Sequence, residues 1–280
     1  MKWLIFGSNG WIGSMVCKLL VDAGETVIPA GCRADDERLV EQELIVYAPD
    51  RVMSFIGRTH GPGCSTIDYL EQKGKLVENV KDNLYSPFVL AMLCKTHHIH
   101  FTYLGTGCIF DGYDGFSEED LPNFFGSSYS VVKGFTDRMM HFFDDSVLNV
   151  RIRMPITADD SPRNFITKIM TYKKICSTLN SMTVLPELLP IMIDMAKNAR
   201  TGTINLTNPG LITHNEILEM VQELVNPDFA WENFTKEEQD KIIGDRSNNF
   251  LFTNKLSEWY PNVSPIKESV RNILVEMAKN

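Results

Sequence analysis

The sequence contains no CxxC pair. Its six cysteines, at 17, 32, 64, 94, 108 and 176, are scattered and share no metal-ligand spacing with histidine. That argues against a zinc site and for reduced thiols in a cytoplasmic compartment. Long apolar runs are missing too, so no membrane-spanning helix is expected. The opening stretch, MKWLIFGSNGWIG, has one basic residue and passes straight into glycines. It lacks the cleavage region of a signal peptide, so the three Asn-x-Ser/Thr triplets, Asn205-Leu206-Thr207 among them, carry no meaning for glycosylation. Positive charge is scarce: 27 Lys and Arg stand against 36 Asp and Glu, a formal net charge of -9. A nucleic-acid footprint needs a basic face and is not expected here. Small anions can still meet local arginines, lysines and helix N-termini. His97, His98 and His100 straddle a helix end and a strand start without converging ligands, so they read as structural and no metal is expected. Residues 111–120, DGYDGFSEED, lack the spacing of a calcium loop and read as an acidic turn.

What is present is a chain of 280 residues, 44% hydrophobic, enough for one large α/β unit or a core domain with a smaller cap. Strand-like runs at 2–6, 26–30, 51–56, 100–104 and 148–153 alternate with helix-like runs at 11–23, 38–47, 76–96 and 128–143. That rhythm predicts a doubly wound parallel sheet flanked by helices. After Pro155 it changes, to helices at 164–172 and 185–198, an edge at 183–184 and a last sheet strand at 202–206. The tail is loop-rich, with helices at 214–224 and 266–277. Met-rich residues 191–197 read as core packing. A domain of residues 1–153, completed by about 181–206, is expected to bind cofactor; 154–180 and 207–280 form the expected substrate domain.

Gly7-x-x-Gly10-x-x-Gly13 lies between a strand and a helix. The first glycine permits a tight turn, the second lets backbone approach a pyrophosphate, and the third brings helix and strand together. This makes the fold Rossmann-type, with Gly7, Asn9, Gly10, Trp11, Ile12 and Gly13 as candidate cofactor contacts and Gly57 near them. The second strand ends in Ala30-Gly31-Cys32-Arg33 rather than in the carboxylate common where NAD is preferred. Arg33 can grip a 2′-phosphate through paired charge-assisted bonds, which favours NADPH, although Asp35 and Asp36 lie close by.

Tyr129 and Lys133 are four residues apart on one face of a helix. Beside a nicotinamide, the lysine charge is expected to lower the tyrosine pKa and hold the ribose, while the phenol gives a proton to a carbonyl oxygen. Thr106, ending the preceding strand, can bond the same oxygen.

These features resemble the extended short-chain dehydrogenase/reductases. Within them the chain is most similar to the nucleotide-rhamnose synthases, bifunctional UDP-4-keto-6-deoxyglucose 3,5-epimerase/4-reductases related to dTDP-4-dehydrorhamnose reductase. The resemblance covers nearly the whole chain and rests on residues 10–13 (GWIG), 106–110 (TGCIF), 118–130, 151–156 (RIRMPI), 162–169 (PRNFITKI), 207–220 and 245–249. Residues 54–61, SFIGRTHG, depart from it, standing where relatives carry an Asn-Ala-Ala-like run. The resemblance implies epimerisation at C3 and C5, then NADPH-dependent reduction at C4, giving UDP-L-rhamnose. The order follows from chemistry: a carbanion at C3 or C5 is stabilised only while C4 is a ketone. Cys108 offers a thiol for exchanging those protons, and the resemblance implies Lys168 as its partner on the opposite face. It also implies sugar or diphosphate contacts at Asn164, Phe165 and Arg246, a homodimer built on helices 76–96 and 128–143, and a separate 4,6-dehydratase supplying the substrate. A monofunctional reductase, a GDP-fucose-synthase-like enzyme and a non-catalytic sugar-nucleotide-binding subunit remain alternatives.

Overall fold

The computed structural model describes every residue except Ser65, Gly244, Asp245 and Asn280. Asp245, the first residue of the 245–249 segment, therefore lies outside the described residues. The chain divides into two compact units. The first comprises Met1–Ile109, Leu121–Arg151 and Met192–Ile204; the second comprises Phe110–Asp120, Ile152–Ile191 and Asn205–Asn280.

In chain order the elements are β1 (Lys2–Phe6), α1 (Trp11–Asp22), β2 (Thr26–Pro29), α2 (Glu37–Tyr47), β3 (Arg51–Ser54), α3 (Leu76–Val80), α4 (Ser86–Thr96), β4 (His100–Thr106), β5 (Gly112–Phe116), α5 (Ser128–Met140), β6 (Val147–Ile152) and β7 (Pro155–Ile156). There follow α6 (Phe165–Thr171), β8 (Lys174–Ile175), β9 (Thr183–Val184), α7 (Leu185–Lys197), β10 (Gly202–Asn205), α8 (His214–Leu224), β11 (Glu232–Asn233), α9 (Lys236–Ile243), β12 (Asn249–Leu251), α10 (Asn254–Trp259) and α11 (Ile266–Met277).

Six strands form the central sheet in the order β10-β6-β4-β3-β1-β2. β1 pairs in parallel with β2 and β3, and β3 with β4; Leu4 stands opposite both Ile28 and Val52, and Val52 opposite Phe101. Such strands are covered on both faces, so they read as unbroken apolar runs rather than alternating ones. Trp3, Leu4, Ile5 and Phe6 are all buried, each worth roughly 1.5–3 kcal/mol of apolar burial. The sequence reverses direction across the sheet between β1 and β3, the crossover where this class of fold binds its ligands.

The predicted 76–96 helix is one rod with a fault in it. Between α3 and α4, residues Lys81–Tyr85 take π-helical geometry, a widening that tends to mark functional sites. Its use is visible here: the Asn83 carbonyl accepts the Thr136 hydroxyl of α5 at 2.6 Å.

The second unit has its own core, in which Ile166 and Ile169 of α6 pack with Ile217, Leu218 and Val221 of α8 and Val270, Ile273 and Leu274 of α11. Here one expectation fails. Part of the 111–120 stretch is strand β5, paired in parallel with β12, with Phe116 stacked on Phe110 at 4.6 Å between ring centroids. Its Asp and Gly content reads locally as a turn, and only the distant pairing partner, itself unforeseen, makes it a strand. Among the described residues no helix is long and apolar enough to cross a membrane.

Candidate active site

Gly7 has φ +76°, and a Cβ there would sit 3.0 Å from the Phe55 carbonyl carbon, so β1 turns sharply against the end of β3. A Cβ on Gly13 would fall 2.2 Å from the Gly7 carbonyl oxygen; any side chain there forces helix and turn apart. Gly10 is the N-cap of α1 and offers no side chain to occupy the amides behind it, leaving them for an anion. Beside this turn the Trp11 indole nitrogen is shielded from solvent and lacks a hydrogen-bond partner among the described residues. A glycine cradle with an unpaired donor fits a dinucleotide.

Arg33 lies at a cavity of about 280 Å³ lined also by Asp35, Gly57, Arg58, His60 and Asp82. Its guanidinium bonds Asp35 at 2.7 Å and Asp82 at 3.1 Å, and Arg58 bonds the other Asp82 oxygen at 2.8 Å. Asp82 thus ties two arginines together and leaves donors on both. Asp36 is engaged elsewhere, capping α2 through Leu39. The divergent loop after β3 is pinned by Asn83, whose amide accepts from the Arg58 backbone and donates to the Arg58 carbonyl, both at 3.0 Å. Arg58, Asp82 and Asn83 were not legible in the sequence as site residues; the Asn79–Asn83 spacing, joined by a 2.9 Å bond, was the one available signal.

Several contacts fix the start of α5. Ser127 caps it by accepting from Ser130 N, Glu71 accepts from Ser128 N, and Asn79 donates to Ser128 Oγ. Tyr129 and Lys133 follow on one buried stripe, 8% and 4% exposed. Burial pushes the Tyr129 phenol well above its ordinary range, the negative charge available at Cys108 pushes the same way, and a hydrogen bond with Thr106 opposes both. At neutral pH this phenol is protonated, the form that donates. Thr106 also accepts the Cys108 amide at 3.1 Å, so the 106–108 turn carries its hydroxyl and thiol as a unit. Cys108 is half-buried and packs on the cluster of Tyr69, Leu70 and Tyr129. Burial pushes up the thiols of Cys17, Cys32, Cys94 and Cys176, Cys32 to about 12 with help from Glu43.

Lys133 departs from the expectation that its charge acts on Tyr129. Its Nζ hydrogen-bonds the phenol of Tyr103, on β4, and burial pulls the amine down to about 7 despite the pull of Asp137 and Cys108 the other way. Asp137, one turn further along the stripe, bonds Arg151 and Asn149. Burial opposes its ionisation, but the bonds from Arg151 and His141 hold its carboxyl far below the usual range.

In the second unit, Asn164 is fully buried, and its side chain caps α6 through Ile166 N and bonds Thr157, Asp159 and Thr167. Those bonds make it a loop anchor rather than an open ligand contact. Phe165 meets His214 edge-on at 5.2 Å. Lys168 is half-buried, its amine lowered by burial and then by Arg163, and it has no side-chain hydrogen-bond or ion-pair partner among the described residues. Arg246 is exposed. Of the histidines, His97 bonds Glu41 and His100 the Arg200 carbonyl.

A phenol poised to donate, a buried amine and a glycine cradle on one doubly wound sheet define a Rossmann-type carbonyl reductase of the short-chain class. No family model matches the chain. It is, however, 61% identical over 285 residues to protein L780 of Acanthamoeba polyphaga mimivirus, covering 99% of both chains. The crystal structure of that UDP-rhamnose synthase has a TM-score of 0.96 to this fold. The chain is also 40% identical over 289 residues to the Arabidopsis thaliana bifunctional dTDP-4-dehydrorhamnose 3,5-epimerase/dTDP-4-dehydrorhamnose reductase, covering 99% of this chain and 94% of that one. A dTDP-4-dehydrorhamnose reductase from Bacillus anthracis, solved with NADP, shares the fold at TM-score 0.79 and 15% identity over 98% of this chain and 99% of that one. The chain belongs to the family of rhamnose-forming nucleotide-sugar 3,5-epimerase/4-reductases.

Proposed function

We propose that the chain converts UDP-4-keto-6-deoxy-D-glucose into UDP-L-rhamnose by epimerising C3 and C5 and then reducing C4. The observation that carries this reading is the packing of Cys108 on the Tyr129 cluster, with the Cys108 amide bonded to Thr106, so that a carbonyl oxygen brought there would meet a proton donor, a hydroxyl and a thiol. NADPH, when bound, supplies the hydride. The glycine turn would hold its pyrophosphate, and Arg33 and Arg58 would receive its 2′-phosphate. While C4 is a ketone, Tyr129 and Thr106 polarise its oxygen, so the electron pair left at C3 or C5 delocalises as an enolate. Cys108, as thiolate, takes the proton from carbon. By the family resemblance, Lys168 returns one to the opposite face, and a lowered amine pKa without a carboxylate partner among the described residues suits that task. Tyr129 then gives its phenolic proton to the C4 oxygen.

A separate 4,6-dehydratase is the proposed source of the substrate. The reduced cysteines suit a cytoplasmic setting. Exposed Phe135 and Phe142 on or beside α5, with Tyr85 before α4, support the homodimer, which sedimentation velocity tests.

Product NMR after mixing the protein with NADPH and UDP-4-keto-6-deoxyglucose tests the whole reading, with UDP-L-rhamnose expected. In deuterated water, Cys108→Ala should lose incorporation at C3 and C5. Undiminished label there removes the thiol from the mechanism.

A further inference from the structure

Lys133 is almost fully buried, yet its amine has no carboxylate bonded to it among the described residues. Among the described residues its one hydrogen bond is to the Tyr103 hydroxyl. Tyr103 itself is 1% exposed, set in β4 between strands β3 and β6, and its hydroxyl has no other partner among the described residues. The charged or titratable groups around the amine are Tyr129 and Asp137 from α5, Cys108 from the turn after β4, and Tyr103 from β4. Arg151 of β6 bonds Asp137 in turn. Asp137 is committed to Arg151 and Asn149, so it offers Lys133 a field and not a bond.

We propose that Tyr103 is a positioning residue for the reduction, its phenol holding the Lys133 amine in its working place whether that amine is charged or neutral. This rests on Lys133 being part of the catalytic pair. A phenol suits such a partner because its oxygen accepts from an ammonium and its O–H donates to a free amine. A carboxylate would lock the charge on, and an apolar neighbour would leave a buried ammonium without a bond. The arrangement matters because burial brings the Lys133 pKa to about 7, so both forms are populated at working pH. Tyr103 is three residues before Thr106 on the same strand, so β4 supplies both the carbonyl-facing hydroxyl and the brace for the amine.

The test is the pH dependence of reduction, followed as NADPH consumption. If the ammonium is the active form, losing the accepting oxygen lowers the Lys133 pKa. Tyr103→Phe should then move the alkaline limb of kcat to lower pH by about one unit and cut kcat at pH 8 roughly tenfold. Deuterium exchange at C3 and C5 should persist, which also shows that the variant is folded. Replacing Tyr103 by 3-fluorotyrosine keeps ring and hydroxyl but makes the oxygen a poorer acceptor, so a smaller shift in the same direction is expected. A wild-type pH profile in both variants overturns the proposal. Lys133→Met separates the two levels: if it reduces normally, the catalytic reading of Lys133 fails. If it is inactive while both Tyr103 variants match wild type, only the positioning role fails.

Discussion

Lys133 and Lys168 are both helical lysines whose amines burial pulls down, yet they are kept in opposite ways. Lys133 is sealed into the first unit, bonded to Tyr103 and one turn from an ionised Asp137. Lys168 in the second unit is half-buried, with no bonded partner among the described residues, and the group acting on it besides burial is another cation, Arg163. On the proposed function, the difference suits two chemical tasks. A lysine that orients a cofactor must stay put, and a partner such as Tyr103 that tolerates either charge state would serve it. A lysine that delivers a proton must release and regain it, and a fixed carboxylate partner would hold the proton on.

The largest effect is expected where that division is sharpest. Tyr129→Phe should cut C4 reduction by roughly 10²–10⁴-fold and slow solvent deuterium exchange much less, because Thr106 still polarises the ketone, measured by NADPH consumption beside mass spectrometry of the sugar. Equal loss of both steps would mean that the phenol serves the enolate as much as the alcohol. Lys168→Gln should do the reverse, lowering epimerisation by about 10²-fold while UDP-4-keto-L-rhamnose, supplied ready-made, is reduced at the wild-type rate. If reduction falls as well, the contrast between the two amines breaks down.

Next in size is the arginine pair. Arg33→Ala would remove the proposed bond to phosphate, which as a charge-assisted contact is worth about 1.5–3 kcal/mol. The KM for NADPH should rise about 10- to 100-fold with that for NADH little changed. Asp82→Asn, which loosens both arginines, should show a weaker form of the same bias. A last effect is on stability rather than on turnover. Lys133 has a folded pKa near 7 against about 10.4 unfolded, so between those values the unfolded chain binds more protons and folding stability rises with pH. Below about pH 7 the penalty of burying the charge is fully present. Lys133→Met should flatten that rise in chemical denaturation curves between pH 7 and 10, whereas Lys168→Met should change it much less.

Local physics made much of this molecule legible. A glycine turn between strand and helix is written in consecutive residues, because steric demands at Gly7 and Gly13 act over a few bonds. Tyr129 and Lys133 share a face because four residues nearly complete a helical turn. Asn164 shows the boundary of that legibility. Its segment was recognised, but its side chain turned out to be occupied by the α6 cap, a task that an Asn before a helix performs whatever ligand lies nearby.

What the chain alone determined, then, is whatever is settled within one turn or one strand: the doubly wound alternation, the cofactor turn, the phenol–amine spacing and the thiol two residues after Thr106. Only the tertiary structure decided that Lys133 meets Tyr103, thirty residues away, that Asp82 joins Arg33 to Arg58, and that β5 pairs with β12. Each is a contact between segments distant in sequence. No residue pattern specifies such a contact until the sheet has brought its strands together, because burial and neighbouring charge are properties of the packed interior.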